Sequence, residues 1–303
     1  MRLGVLDIGS NTIHLQIMDA HFGMAPVPSK RHKIELRLTE YLDAQGCISE
    51  AGISTLIHSI NQIFQMVPAK EFDECLAFAT SAIREAKNSE EIIHRVKSFC
   101  DIEIDVLTGE EEARFTFLAA RRWLGWSAGI LTIIDIGGGS VEFAYGADEL
   151  PQFATSLPIG PGRLTRTILE GDPFTSKSLK KLEGVISEAL HKIPQQLGEY
   201  SNSHAYGTSK TFRTLKRIQN SFLPNLGDDL TLEGLKLMIP KLVEMSAGER
   251  AELPGVSTAR AGQIVAGAMV AQSCMQILEI PLIKTCPWAL REGVILQRID
   301  WLR

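Results

Sequence analysis

Two stretches of the chain share one pattern: a short β-branched apolar run, an Asp-Ile-Gly, a small-residue turn and a second apolar run. At the N-terminus this predicts a hairpin of strands over residues 3–8 and 13–20. A loop over 21–30 follows, containing Gly23, Pro26 and Pro28, and a third strand is expected over 33–39. Ile53, Leu56, Ile57, Ile60, Ile63, Phe64 and Val67 recur at helical spacing and predict a core-facing helix over 49–67. Residues 75–79 read as a buried strand, and Asn88-Ser89-Glu90-Glu91 has the form of a capping box opening a helix. A strand over 102–107 is followed by Thr108-Gly109-Glu110-Glu111-Glu112-Ala113-Arg114, the start of a helix to about residue 124. There Thr108 and Glu111 suit a second capping box, and Glu110 and Arg114 an i,i+4 ion pair.

After a linker-like stretch at 125–129 the pattern restarts. Leu131-Thr132-Ile133-Ile134-Asp135-Ile136 predicts a strand, Gly137-Gly138-Gly139-Ser140 a turn, and residues 141–145 a second strand. Strands over 151–157, 204–207 and 281–285 are expected, with helices over 175–197, 231–243 and 257–279, and final helices beginning near 161, 210 and 288. Residues 5–15 align with residues 133–143 without a gap, Asp7-Ile8-Gly9 falling on Asp135-Ile136-Gly137. Two copies of one strand–turn–strand device predict two similar α/β lobes facing a cleft, over residues 1–125 and 126–303, with the last helix free to pack back on the first lobe.

Composition narrows the picture. The chain has 303 residues, 45% of them hydrophobic and 22% charged, as in a soluble globular protein. No apolar run reaches membrane-spanning length, and Met1-Arg2-Leu3 leads into a strand rather than a signal peptide. Five cysteines without a Cys-x-x-Cys pair suggest a reduced cytoplasm and argue against thiolate metal ligation. The net charge of −5 offers no global attraction for nucleic acid, so a polyanionic substrate would need a local positive site.

The candidate chemistry gathers at the turns. Glycines leave backbone N–H groups accessible to phosphate oxygens, and Asp135 at a strand end can hold a metal beside them; a tight hairpin with no ligand has the same sequence. Arg84 lies just past a strand, as a ligand group or a surface ion-pair partner. Glu112 is the one acid of its helix start without an evident structural task, and can take a proton from an attacking water. Lys210, Arg213 and Arg217 share a helix face, a candidate anion track or a solvated basic face; Arg163 and Arg166 share another, and the Gly160-Pro161-Gly162 loop before them can supply backbone donors or be an ordinary turn. Lys30-Arg31-His32-Lys33 is a compact basic cluster with the same two readings.

These motifs, in order, resemble a known family. Asp7-Ile8-Gly9-Ser10-Asn11-Thr12, Ala79-Thr80-Ser81-Ala82-Ile83-Arg84, Gly109-Glu110-Glu111-Glu112-Ala113-Arg114, Asp135 to Glu142 and Leu290-Arg291-Glu292-Gly293 look like those of the exopolyphosphatase/guanosine pentaphosphate phosphatase family. That family sits in the sugar kinase/Hsp70/actin superfamily, and the chain resembles its short two-domain form. The resemblance implies two ribonuclease-H-like lobes with mixed sheets flanked by helices and an interdomain active site. It implies Mg²⁺-assisted hydrolysis (Mn²⁺ being an alternative) of terminal phosphate from inorganic polyphosphate in the cytoplasm, with homodimers common and no nucleic-acid or membrane partner. Guanosine pentaphosphate is the alternative substrate, and an actin/Hsp70-like nucleotide-binding regulator the alternative class.

Position by position, the resemblance implies Glu112 as catalytic base and Asp135 and Glu142 as metal ligands. Ser10, Asn11, Arg84, Gly137, Gly138, Gly139 and Ser140 would contact phosphate. The chain departs from the family where Ser209-Lys210-Thr211 replaces Ser-Gly-Thr and Arg260-Ala261-Gly262 replaces Arg-Ala-Asp. Lys210, where the family's glycine would admit a nucleobase, therefore favours a phosphate chain over a nucleoside, and Arg213 on the same helix face is a further phosphate-binding candidate.

Overall fold

In the computed structural model, which describes residues 1–68, 71–194 and 203–301, the chain forms two compact units. One comprises Met1–Phe115 with Leu290–Arg303, the other Thr116–Ala289. The first contains β1 (Arg2–Ile8), β2 (Thr12–Asp19), β3 (Val27–Glu35), α1 (Glu50–Gln65), β4 (Glu74–Ala79), α2 (Ser81–Arg84), α3 (Ser89–Cys100), β5 (Asp105–Val106) and the start of α4 (Gly109–Leu124). Its sheet has the order β3-β2-β1-β4-β5, with β1 antiparallel to β2 and parallel to β4. Leu6, Ile8, Ile13, Leu15 and Ile17 line one sheet face and are buried with Ile53, Leu56, Ile60 and Ile63 of α1. That helix starts where Ser49 accepts the Gly52 N–H, relieving an otherwise unpaired donor.

Three expectations for this unit need correction. Strand β3 begins at Val27, not at residue 33, and ends at Glu35, before a 3₁₀ turn at Leu38–Tyr41. Pairing with β2 draws Val27 and Pro28 into the sheet, and a register shift at Ile17/Met18 on an edge strand accommodates the proline. The strand over 102–107 shrinks to Asp105–Val106, the two residues that pair with β4. Asn88 caps nothing: its side chain accepts the Ile48 N–H and donates to the Ile48 carbonyl, both at 2.9 Å. The capping box of α4 does form, with Thr108 N–H donating to Glu111 and Glu111 N–H to Thr108 Oγ1.

The second unit contains β6 (Leu131–Ile136), β7 (Val141–Gly146), β8 (Phe153–Leu157), α5 (Pro161–Ile168), α6 (Ser176–Leu190), β9 (His204–Gly207) and α7 (Lys210–Phe222). It continues through β10 (Leu230–Thr231), α8 (Leu232–Glu244), α9 (Ala247–Ala251), α10 (Thr258–Ala261), α11 (Ile264–Ile277) and β11 (Leu282–Thr285). The sheet runs β10-β11-β9-β6-β7-β8, and β6 is antiparallel to β7 and parallel to β9. Helix α6 stops at Leu190; residues 195–197 of the expected helix lie outside the described ones. The expected helix over 257–279 is two, because Gln263 N–H bonds back three residues to Arg260 O and breaks the α ladder after Ala261. Helix α9 went unpredicted, although Ser246 and Glu249 form a complete capping box.

Helix α12 (Leu290–Asp300) belongs to the first unit. Its Ile295 and Ile299 are buried with Leu3, Val5, Met18 and Phe78, on the face of β1, β2 and β4 opposite α1. The mixed α/β class expected of the sequence is the one observed in both units.

Candidate active site

In the second unit the site is built from a hairpin. Register pairs Asp135 of β6 with Glu142 of β7, so both carboxylates project from the same sheet face. Between them Gly137 N–H donates to Ser140 O at 3.0 Å. The turn is anchored from behind: Gly138 O accepts the N–H groups of Gly162 and Arg163, and Gly139 O accepts those of Gly160 and the Arg163 guanidinium. The Gly-Pro-Gly amides at 160–163 are therefore occupied in holding the turn. A Cβ on Gly160 would lie 2.4 Å from Gly139 C and Ser140 N, which is why no side chain fits there. The N–H groups of Gly138, Gly139 and Ser140 donate to no group among the described residues. Carbonyls tied inward and amides left unpaired are an arrangement that can cradle an anion.

Around this cradle, Thr208 Oγ1 donates to Asp135 Oδ2 at 2.5 Å and Ser156 Oγ to Glu142 Oε1 at 2.8 Å. Burial pushes the Asp135 carboxyl above its ordinary range, opposed by the Thr208 hydrogen bond and by the charges of Arg213 and Arg260. Arg213 also donates to Thr208 O at 3.0 Å. Lys210 is the first residue of α7, whose next residue, Thr211, anchors to Ile136 O at 2.9 Å. Arg217 departs from the expected track: it is exposed and lies along Gly255. A shallow, solvent-open depression beside the turn is lined by Gly137, Gly138, Thr211, Thr214, Arg260 and Gln263, among others, and Lys210 is not in its wall.

The first unit repeats the device. Gly9 N–H donates to Thr12 O at 3.0 Å, and Asp7 pairs in register with His14 where the second unit has Asp135 and Glu142. The Ser10 and Asn11 amides donate to nothing among the described residues, while the Asn11 carbonyl accepts the N–H groups of Leu36 and Arg37. Ser10 is buried with its hydroxyl 3.0 Å from that of Ser81 at the start of α2. Arg84, at the end of α2, bonds the Leu107 carbonyl at 2.8 Å and the Glu112 carboxylate. The sequence reading treated Arg84 and Glu112 separately; the structure makes them an ion pair, Glu112 being only 6% exposed. Arg291 of α12 lies 3.8 Å from Asp7.

Thr208, Ser156, Ser81 and Arg260 were not singled out as site residues. A signal existed for the first two. Ser156 is the register partner of Glu142, and Thr208 follows the strand parallel to β6, at the carboxyl ends where α/β proteins place ligand groups. Ser81 and Arg260 depend on the packing of distant segments and had no local signal.

The donor set fits the metal that the resemblance implies. Asp135 and Glu142 are hard oxygen donors side by side, and no cluster of three or more His, Cys, Asp or Glu able to hold a metal occurs among the described residues. Two carboxylates suit Mg²⁺, which keeps several waters and takes further oxygens from substrate phosphates.

Two mixed α/β units, each with a glycine turn of unpaired amides beside an acid at a strand end, define an actin-like protein class that handles phosphates. Within it the chain belongs to the Ppx/GppA phosphatase family, whose profile matches residues 17–301. It is 45% identical to a protein named exopolyphosphatase 1 from Mycobacterium tuberculosis, over 99% of this chain and 89% of that one. The protein of the same name from Mycobacterium leprae is 44% identical, over 99% and 90%. Among solved structures, an Aquifex aeolicus Ppx-GppA enzyme superposes with a TM-score of 0.79 at 28% identity, over 98% of this chain and 99% of that one. An exopolyphosphatase from Cytophaga hutchinsonii shares the fold with a TM-score of 0.88 at 24% identity, over 100% and 99%.

Proposed function

We propose that the chain hydrolyses linear inorganic polyphosphate from its end, releasing orthophosphate. The observation that carries this reading is the β6–β7 hairpin, where the unpaired amides of Gly138, Gly139 and Ser140 adjoin Asp135 and Glu142. The mycobacterial relatives, at 44–45% identity over nearly the whole chain, support it.

In this reading Glu112 accepts a proton from water as the water oxygen bonds the terminal phosphorus. The bridging P–O bond breaks, and the shortened chain leaves with its electron pair. Charge spreads over the phosphoryl oxygens in such a displacement, so oriented donors lower the barrier. The amides of Ser10, Asn11, Gly138, Gly139 and Ser140 serve there, with Arg84, Lys210 and Arg213, whereas the Gly137 N–H, expected from the sequence to contact phosphate, is taken by the Ser140 carbonyl. Asp135 and Glu142 would hold Mg²⁺ or a similar cation such as Mn²⁺, which when bound neutralises phosphate charge. Arg84 leaves Glu112 for the substrate, changing the carboxylate from ion-pair partner to base. The setting is the cytoplasm, with no nucleic-acid or membrane partner; no described helix is long and apolar enough to cross a membrane.

One observation favours a second reading. The depression beside the glycine turn is lined by the polar side chains of Thr211, Thr214 and Gln263. These polar groups beside the glycine turn keep guanosine pentaphosphate as the alternative substrate. Phosphate release from tripolyphosphate, longer polyphosphates and guanosine pentaphosphate, each with and without Mg²⁺, decides the matter. The expected result is Mg²⁺-dependent release that is faster from polyphosphate. Faster release from guanosine pentaphosphate selects the second reading, and release from none of them overturns both.

A further inference from the structure

The basic cluster at residues 30–33 has no part in the chemistry above, and the structure divides it. Strand β3 is the outer strand of its sheet, and its residues alternate between the faces. Lys30 and His32 pair in register with Ile17 and Leu15, on the α1 side, and the Lys30 ammonium is 2.8 Å from Glu71. Lys33 and Arg31 pair with His14 and Gln16, on the opposite face. Both are exposed, and neither makes an ion pair or side-chain hydrogen bond among the described residues.

The register extends this face to the turn. Asp7 pairs with His14 and His14 with Lys33, so these three side chains form one row across β1, β2 and β3. Lys33 stands two strand spacings, about 10 Å, from Asp7, and Arg31 lies about 7 Å further along the strand. The row begins beside the unpaired amides of Ser10 and Asn11 and ends on two unpartnered cations. The His14 ring between them has a buried Nδ1 with no partner among the described residues. The strand's outer edge adds backbone N–H groups that no neighbouring strand occupies.

We propose that Arg31 and Lys33 bind the distal phosphates of a polyphosphate whose terminal phosphate is held at the turn after Asp7, so that this edge strand sets preference for longer chains. The inference rests on the polyphosphate reading above. A row of discrete cations suits a flexible chain carrying a charge on every unit, which can follow an edge without a pocket. Tripolyphosphate is too short to reach from the turn to both cations. A simpler role for edge lysines is to block strand-to-strand aggregation, which any charge on either face would serve.

The test is an Arg31→Gln/Lys33→Gln double variant in the full chain, with tripolyphosphate and a chain of tens of phosphates as substrates. The ratio of kcat/KM for the long chain to that for tripolyphosphate should fall about five- to tenfold, as two charge contacts allow. Its dependence on salt should flatten. A Lys30→Gln/His32→Gln control should leave the ratio within about twofold of the parent, as surface substitutions away from a contact do. An unchanged ratio in the double variant overturns the proposal, as does a variant whose only change is aggregation or weaker binding of single-stranded RNA. Failure of the parent to hydrolyse either polyphosphate would instead overturn the substrate reading, which keeps the two failures apart.

Discussion

Glu112 is held by Arg84 in a nearly buried ion pair, and this fixes what its variants should do. Glu112→Gln keeps shape and packing while removing the carboxylate proposed as proton acceptor. Phosphate release should fall by about 10²- to 10⁴-fold, the usual weight of a general base. Polyphosphate binding, measured by equilibrium dialysis, should stay near that of the parent; turnover within a few-fold of the parent would rule the role out. Arg84→Ala leaves a buried carboxylate without its cation, which costs about 3 kcal/mol and should appear as a lower denaturation midpoint as well as lost activity. Gly160 tests the second turn. Gly160→Ala puts a Cβ against Gly139 and Ser140, so it should impair catalysis through the cradle without touching any acid. Part of this was legible in the sequence: the gap-free alignment of the two stretches gave two strand–turn–strand devices with an acid before each turn, whereas the Gly9–Thr12 and Gly137–Ser140 bonds and the same-face pairing of Asp135 and Glu142 come from the hairpin register. The Arg84–Glu112 pair was not, because residues from two elements meet only once α2 and α4 are placed on the sheet.

Elements followed the sequence where burial periodicity was strong and departed from it where pairing or a competing partner decided. The side chain of Asn88 had the right spacing for a cap, yet Ile48 offers it both a donor and an acceptor, and two hydrogen bonds outweigh one. Asn88→Ala should therefore cost about 1–3 kcal/mol through unpaired Ile48 backbone groups rather than through a lost cap. Asn88→Ser separates the explanations in chemical denaturation: a serine would restore a cap but cannot serve both Ile48 groups, so stability should not recover. The start of β3 at 27–29 is masked by Pro28 and the preceding Pro26, and β10 by being two residues long; both exist because a neighbouring strand presents matching backbone groups. No local pattern carries that information.

At the scale of the whole molecule, the order of the chain and the order of its folded units differ. Residues 290–301 complete the unit that the first 115 residues begin, and their Leu-Arg-Glu-Gly motif is where they meet it. Arg291 reaches Asp7, Gln16 donates to Glu292 at 3.3 Å in a buried setting, and a Cβ on Gly293 would lie 2.0 Å from Phe115 O. Farther along α12, Ile295 and Ile299 fill the core against Leu3, Val5, Met18 and Phe78. Losing a handful of such buried side chains, each worth about 1.5–3 kcal/mol, approaches the whole stability of an ordinary domain, about 5–15 kcal/mol. A chain ending at Ala289 should therefore lose the first unit while the second, whose core lies wholly within Thr116–Ala289, stays folded. Limited proteolysis with mass spectrometry reads this directly: residues 1–115 should be cut rapidly, leaving a resistant fragment close to Thr116–Ala289. Gly293→Ala in the full-length chain should show a milder form of the same imbalance, because the clash with Phe115 loosens α12 without deleting its apolar face. A truncated chain whose first 115 residues resisted protease as long as the second unit would show that α12 only covers the sheet and does not complete its core.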